Sequence, residues 1–135
     1  MTREPAAARA LLVERQPALV PFFRDTLERA GHADVIASRS TSAATLRRVR
    51  PDTVLIGPGS ADVRPLAAIR RIRQERPSTR IVVVAYRADP VWRSVALAVG
   101  ADAVLGPDDD RSTLDAALAS GASGRVRNLG MRRTS

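Results

Sequence analysis

The sequence has neither cysteine nor lysine, and aromatic residues make up only 3% of its 135 positions. Without cysteine the chain has no disulfide framework, no thiolate metal site and no cysteine nucleophile. Without lysine it has no Schiff-base amine and no lysine charge clamp. No apolar run approaches the roughly 18 residues of a membrane span, and the apolar stretch at residues 10–13 is too short for a secretory signal. We therefore expect a soluble cytoplasmic protein with no membrane partner.

Basic residues outnumber acids, and their distribution is uneven. All 22 basic residues are arginine, against 14 acids, for a formal charge of +8. Residues 125–135 hold four arginines and no acid, whereas residues 10–124 carry a charge of only +3. The overall charge is therefore no argument that the body of the chain binds nucleic acid. The length is typical of one domain, and we predict a flexible N-terminus over 1–9, a domain over 10–120, and a basic flexible tail or start of a linker over 121–135.

Hydrophobic periodicity alternates between two patterns along this domain. Continuous apolar runs, typical of strands buried on both faces, occur at 10–13, 34–37, 53–56, 81–85 and 103–105. Between and after them lie five segments with helical spacing, punctuated by capping residues, glycine and proline. The alternation predicts an α/β fold with a five-stranded parallel sheet between two layers of helices, a (βα)5 three-layer sandwich.

In such a sheet, ligands bind where the strands end at their carboxyl side. The residues that follow the predicted strands are Glu14 and Arg15 after the first, Gly57 after the third, Ala85 after the fourth and Pro107 after the fifth. A catalytic Ser-His-Asp arrangement, a phosphate-binding loop and an HExxH motif are all absent from the sequence. We expect no enzyme activity and no cofactor.

Four segments resemble the receiver domain of bacterial response regulators, and most closely the receivers that precede LuxR-type helix-turn-helix output domains. The resemblance covers residues 9–120 and implies a flavodoxin-like fold, two-component (phosphorelay) signal transduction and transcription regulation. It is carried by Leu11-Leu-Val-Glu-Arg-Gln-Pro17, Arg50-Pro-Asp-Thr-Val-Leu-Ile56, Leu66-Ala-Ala-Ile-Arg-Arg-Ile-Arg73 and Gly100-Ala-Asp-Ala-Val-Leu105.

The residues that the resemblance places at the phosphorylation site lack its chemistry. The family uses two acids for magnesium, an aspartate as phosphoacceptor, a hydroxyl and a lysine; here those positions are Glu14-Arg15, Gly57, Ala85 and Pro107. A divalent cation requires several oxygen ligands, and glycine has no carboxylate to phosphorylate. The resemblance therefore implies a degenerate receiver with no metal, acting without aspartyl phosphorylation.

The same resemblance indicates how such a domain acts. Receivers make dimer and partner contacts through their fourth helix, fifth strand and fifth helix, so we expect a homodimer, with a DNA-binding output region on this chain or a separate one. The alternative is a sensor that binds a small molecule in the former phosphorylation crevice, with Arg15 as anion anchor; a less favoured one is a nucleic-acid-binding accessory domain. Trp92 is equally compatible with a half-buried core position. The candidate interface residues are Trp92, Val95, Val99 and Val104, the last at the family's aromatic switch position.

The remaining polar features have ordinary structural explanations that we prefer. Asp108-Asp-Asp110 precedes a helix and is predicted to cap it rather than bind metal. Ser60 and Asp62 follow a Gly-Pro-Gly turn and are predicted to face solvent rather than accept a phosphoryl group. The single histidine, His32, is predicted at the surface or capping a helix end. Arginines at 47, 48, 50, 64, 70, 71, 73 and 76 are predicted to form solvated helix faces.

Overall fold

The computed structural model describes residues 8–60, 64–87 and 89–119. Five strands alternate with five helices, as predicted. The strands are β1 (Ala8–Val13), β2 (His32–Ser38), β3 (Thr53–Ile56), β4 (Arg80–Val84) and β5 (Ala103–Leu105). The helices are α1 (Leu19–Arg29), α2 (Ala43–Val49), α3 (Pro65–Glu75), α4 (Pro90–Val99) and α5 (Arg111–Leu118). The predicted tail over 121–135 lies outside the described residues.

All strand pairs are parallel, in the order β2-β1-β3-β4-β5. The chain proceeds outwards from β1 to one edge and then returns past β1 to build the other side. The loops after β1 and β3 therefore diverge to opposite faces, which opens a crevice at the carboxyl ends of these two strands. The flavodoxin-like three-layer architecture is confirmed.

Alternate residues of the central strands belong to two separate hydrophobic cores, one on each face of the sheet. In β1, Leu11 and Val13 pack with residues of α2, α3 and α4, whereas Ala10 and Leu12 pack with residues of α1 and α5. In β3, Val54 and Leu55 divide in the same way. Because side chains in a strand alternate between faces, a strand covered on both sides must be apolar throughout.

Helix ends follow the capping residues that the sequence shows. Ser42 caps α2 by accepting from the Thr45 amide, and Asp89 caps α4 by accepting from the Trp92 amide. Helix α4 ends at Gly100, whose φ of 135° is readily adopted by glycine alone. Asp110 caps α5 by accepting from the Thr113 amide, so the capping role predicted for the aspartate run is confirmed. Within the described residues, no helix has the length and apolarity of a membrane span.

Strand β1 begins earlier than predicted. Ala8 and Arg9, assigned to the flexible N-terminus, pair with His32 and Asp34 of β2. The Arg9 side chain donates to Asp34 at 2.9 Å and to the Val49 carbonyl at 2.8 Å. These contacts extend the sheet beyond the apolar run that marks the strand in the sequence.

Two polar side chains lie deeper than predicted. His32 was expected at the surface or at a helix end, but it begins β2 and is buried, with its Nε2 2.7 Å from the Leu118 carbonyl oxygen of α5. Arg73 was expected on the solvated face of α3, but its guanidinium donates to the Gly100 and Thr79 carbonyls and to the buried Asp102 carboxylate. Both corrections have one cause: each side chain satisfies carbonyl groups contributed by distant segments.

Candidate functional site

The end of β1 and the loop after β3 build the candidate site around one carboxylate. Glu14 follows β1 directly and is only 4% exposed. Its Oε1 accepts from the Gly59 amide at 3.0 Å, and its Oε2 accepts from the Gln16 amide at 2.9 Å. Two charge-assisted hydrogen bonds to backbone amides satisfy a carboxylate that would otherwise be costly to bury.

The Glu14 carboxylate lies in the space that side chains at 57 and 59 would need. A Cβ built on Gly57 would lie 2.1 Å from Glu14 Oε1, and one on Gly59 would lie 1.9 Å from Glu14 Oε2. The Phe23 ring closes the Gly57 position further, at 3.2 Å from that Cβ. The two glycines therefore permit the close approach of Glu14, and the Glu14 carboxylate fills the position where the resemblance would place a phosphoacceptor.

Ser60 reinforces this loop from inside the protein. It was predicted to face solvent, but it is buried, with its hydroxyl 2.8 Å from the Val13 carbonyl oxygen and 2.7 Å from that of Gly57. The Gly57 amide in turn donates to the Val13 carbonyl at 2.9 Å. The tight turn directs the Ser60 side chain back onto β1, where its hydroxyl forms hydrogen bonds with backbone carbonyls. Asp62 lies outside the described residues.

The other predicted site residues lie on neighbouring strand ends. Ala85 is half-buried, and its amide donates to the Leu105 carbonyl at 2.9 Å, which continues the β4–β5 pairing. Pro107 and Arg15 are exposed. Sequence reasoning missed Gln16 and Gly59, which act through backbone amides; the Gly-Pro-Gly turn was the one available signal that a group approaches the backbone closely.

The predicted interface residues have different environments. Val95 of α4 is 40% exposed, Val99 and Trp92 are half-buried, and Trp92 packs against the core. Val104 of β5 is 6% exposed and belongs to that core, so it contributes little surface. Val91, which the sequence did not single out, is 73% exposed.

The aspartate run before α5 makes local hydrogen bonds. Asp109 accepts from the Gly106 amide at 2.8 Å, and Asp110 accepts from Ser112 and Thr113. The hydrogen bonds from the Ser112 hydroxyl and the Thr113 amide and hydroxyl hold the pKa of Asp110 below its ordinary value. Among the described residues, no three His, Asp or Glu side chains are grouped so as to hold a metal ion.

Comparisons with known proteins bear on the fold. No protein-family model matches the chain, and none of the curated proteins does so in sequence. A LuxR-family two-component response regulator from Aurantimonas sp. SI85-9A1 has a TM-score of 0.70 at 24% identity, over 81% of this chain and 80% of that one. The chain has the receiver fold.

Two further structures support the same conclusion at lower identity. A CheY-like response regulator receiver domain protein from Methanospirillum hungatei JF-1 has a TM-score of 0.68 at 19% identity, over 81% of this chain and 88% of that one. The receiver domain of a sensor histidine kinase from Pseudomonas aeruginosa PAO1 has a TM-score of 0.67 at 22% identity, over 84% and 95%. That receiver domain holds a magnesium ion in its active-site cleft.

The residues of this chain do not fit a magnesium ion in the corresponding crevice. A hard divalent cation needs several oxygen ligands, yet both oxygens of Glu14 already accept from backbone amides. The next residue is the cation Arg15, and position 57 has no side chain. Glu14, which is buried and already accepts from two amides, does not by itself supply the several oxygen ligands that such an ion needs.

Proposed function

We propose that this receiver-fold domain belongs to a signalling regulator and acts without aspartyl phosphorylation, through contacts with a second copy of itself and with an output partner. The observation that carries the proposal is the buried Glu14 carboxylate, which is held by the Gly59 and Gln16 amides in the space of a side chain at 57. A domain that has the receiver fold but lacks the phosphorylation chemistry acts through the surfaces that it presents to other proteins.

The proposal includes a location and a partner class that rest on resemblance. By its likeness to receivers of LuxR-type regulators, the domain works in the cytoplasm and controls a DNA-binding output region, on this chain or on another. It has no enzyme activity of its own. Dimer contacts involve the exposed valines of α4.

The geometry favours this mode over a metabolite sensor in the same crevice. A ligand at the carboxyl end of β3 would have to displace the Glu14 carboxylate and leave two backbone amides without an acceptor. Leaving the buried Gly59 amide unpaired costs about 1–3 kcal/mol, which such a ligand would have to offset. Protein contacts through α4 require no such change.

The direct test is exposure to a phosphoryl donor. The full chain is incubated with acetyl phosphate and Mg²⁺, and its intact mass is measured; a second sample receives beryllofluoride and Mg²⁺ while ¹H–¹⁵N spectra are recorded. We expect no phosphoryl adduct and no change at Glu14, Gly57 or Gly59, because position 57 has no side chain and both Glu14 oxygens already accept from backbone amides. A magnesium-dependent adduct mapped to this crevice would refute the proposal.

A further inference from the structure

A polar groove lies beside the crevice, between the loop after β2 and the first two turns of α3. It has a volume of about 500 Å³ and is lined by residues 39–43 from the loop and by Arg64, Ala67, Ala68 and Arg71 from α3 and its N-cap. Glu14 and its two backbone donors do not line it. The groove is therefore separate from the site described above.

Among the described residues that line this groove, all of the charged ones are basic. Three of its lining residues are the arginines Arg39, Arg64 and Arg71, and no acid is among them. Elsewhere the fold pairs arginines with acids, as in Arg47 with Glu75 and Arg93 with Asp109. Within the described part of the chain, no carboxylate forms an ion pair with any of the three groove arginines. Three guanidinium groups that share one concavity without an acid repel one another, and a bound anion would relieve that repulsion.

Arg71 and the backbone of the loop after β2 are held in place before any ligand binds. Arg71 donates to the hydroxyl of Thr41, a buried residue, at 3.1 Å. The Ser40 hydroxyl accepts from the Ser42 amide at 3.1 Å and from the Thr45 hydroxyl at 3.0 Å. These bonds fix the loop that carries Arg39, and preorganised donors bind with a smaller entropy loss.

The start of α3 adds to the positive potential. Arg64 is the N-cap of α3, no side chain caps its first amides, and the first turn has no acid. Arg64, Ala67 and Ala68 line the groove, so this helix end lies at its wall. The helix dipole places partial positive charge at its N-terminus and favours an anion there, in addition to the arginines.

We propose that this groove binds the phosphate groups of a small phosphorylated molecule, of the diphosphate class. Guanidinium groups pair with phosphate oxygens in two-pronged geometry, and three of them match the charge of two adjacent phosphates. The volume falls within the range of small-molecule sites. None of the described residues that line the groove is an aromatic on which bases of a single strand would stack, which favours a small ligand over nucleic acid. The proposal does not depend on how the domain signals.

The test uses inorganic pyrophosphate as the probe and the full chain as the protein. Binding is measured by calorimetry and by ¹H–¹⁵N spectra at physiological salt, where weak surface attraction is screened. We expect one saturable site, with shifts concentrated at residues 39–43 and 64–71. The double variant Arg39→Gln/Arg64→Gln is expected to weaken binding by about tenfold or more, since each loses a charge-assisted contact.

A matched control separates this site from net charge. Arg48→Gln/Arg87→Gln removes the same charge from exposed arginines that do not line the groove and should bind pyrophosphate like the parent chain. Equal weakening in both double variants, or shifts scattered over many arginines, would overturn the proposal. So would saturable binding of a DNA oligonucleotide at these residues without binding of pyrophosphate, because that result would make the groove a nucleic-acid surface.

Discussion

At the scale of single residues, the candidate site at the ends of β1 and β3 is built around the buried side chain of Glu14. The Glu14 carboxylate occupies the space that a side chain at Gly57 would need, and it is held there by two backbone amides. Gly59 and Phe23 complete the enclosure. The Glu14 carboxylate therefore supports the loop after β3 through the Gly59 amide.

Gly57→Asp should therefore destabilise the protein without restoring phosphorylation. Its Cβ would lie 2.1 Å from Glu14 Oε1, so Glu14 must leave its two amide donors. We expect a loss of about 1–3 kcal/mol in the free energy of unfolding, measured by urea denaturation. Glu14→Ala alone should cost a similar amount, since the same donors lose their acceptor.

The double variant Gly57→Asp/Glu14→Ala provides the control for this prediction. If the two residues compete for one space, the combined loss will be smaller than the two single losses added together. Strictly additive losses would show that Glu14 does not occupy the space of residue 57.

At the scale of elements, local signals in the sequence were sufficient for most of the fold. Strand β3 has the predicted bounds of 53–56, because a continuous apolar run determines it. Helix α4 likewise begins and ends at local signals, since Asp89 and Pro90 open it and Gly100 follows its last residue. The alternation of apolar strands with amphipathic helices is then enough to predict a parallel sheet. Polar side chains with partners far along the chain were predicted less well.

Arg73 illustrates why such partners escape sequence reasoning. On α3 its spacing resembles that of Arg70, which is exposed, yet Arg73 contacts Gly100 and Asp102, 27 and 29 residues away. His32 likewise contacts Leu118, 86 residues away. The Glu14 contact with Gly59 spans 45 residues. Hydrophobic periodicity indicates which face of an element is buried, but it does not indicate which carbonyl or amide of a distant segment will be its hydrogen-bond partner.

The contact between β2 and α5 predicts a pH dependence of stability. The carbonyl oxygen of Leu118 can only accept, so His32 Nε2 carries the proton, and Nδ1 is buried without a hydrogen-bond partner among the described residues. Burial lowers the pKa of His32 below 6.5, and the charge of Arg80 lowers it too, against the opposing effects of Leu118 and Asp52. The unfolded chain therefore binds a proton first as the pH falls.

Stability should be constant above the unfolded pKa of 6.5 and should decrease as the pH falls from there towards the lower folded pKa. Urea denaturation between about pH 7.5 and 5.5 measures the effect, and the chain has only one histidine. His32→Gln should lose the dependence in this window. An NMR titration of the ring in the parent chain is a direct check: a folded pKa at or above 6.5 would contradict the buried neutral state.

At the scale of the whole molecule, the layer formed by α2, α3 and α4 presents two different surfaces. One end of α3 contributes to the arginine-lined groove. Val95 and Val99 of α4 line a second groove with Leu66, Ala67, Arg70, Arg71 and Gln74 of α3. Val91 and Val95 are four residues apart, so they share one face of α4, and both are exposed. The two grooves share Ala67 and Arg71 of α3, so the arginine-lined groove adjoins the face that carries the exposed valines.

The final prediction concerns that apolar face. Val95→Arg places a charge at the centre of the proposed dimer contact, where it would be desolvated on association. We expect the parent chain to sediment as a dimer at micromolar concentration and the variant to sediment as a monomer. Ala44→Arg adds the same charge at an exposed position of α2 and should leave the dimer intact, while Trp92 fluorescence verifies that both variants are folded. A parent chain that remains monomeric, or equal dissociation of the two variants, would exclude α4 as the dimer surface.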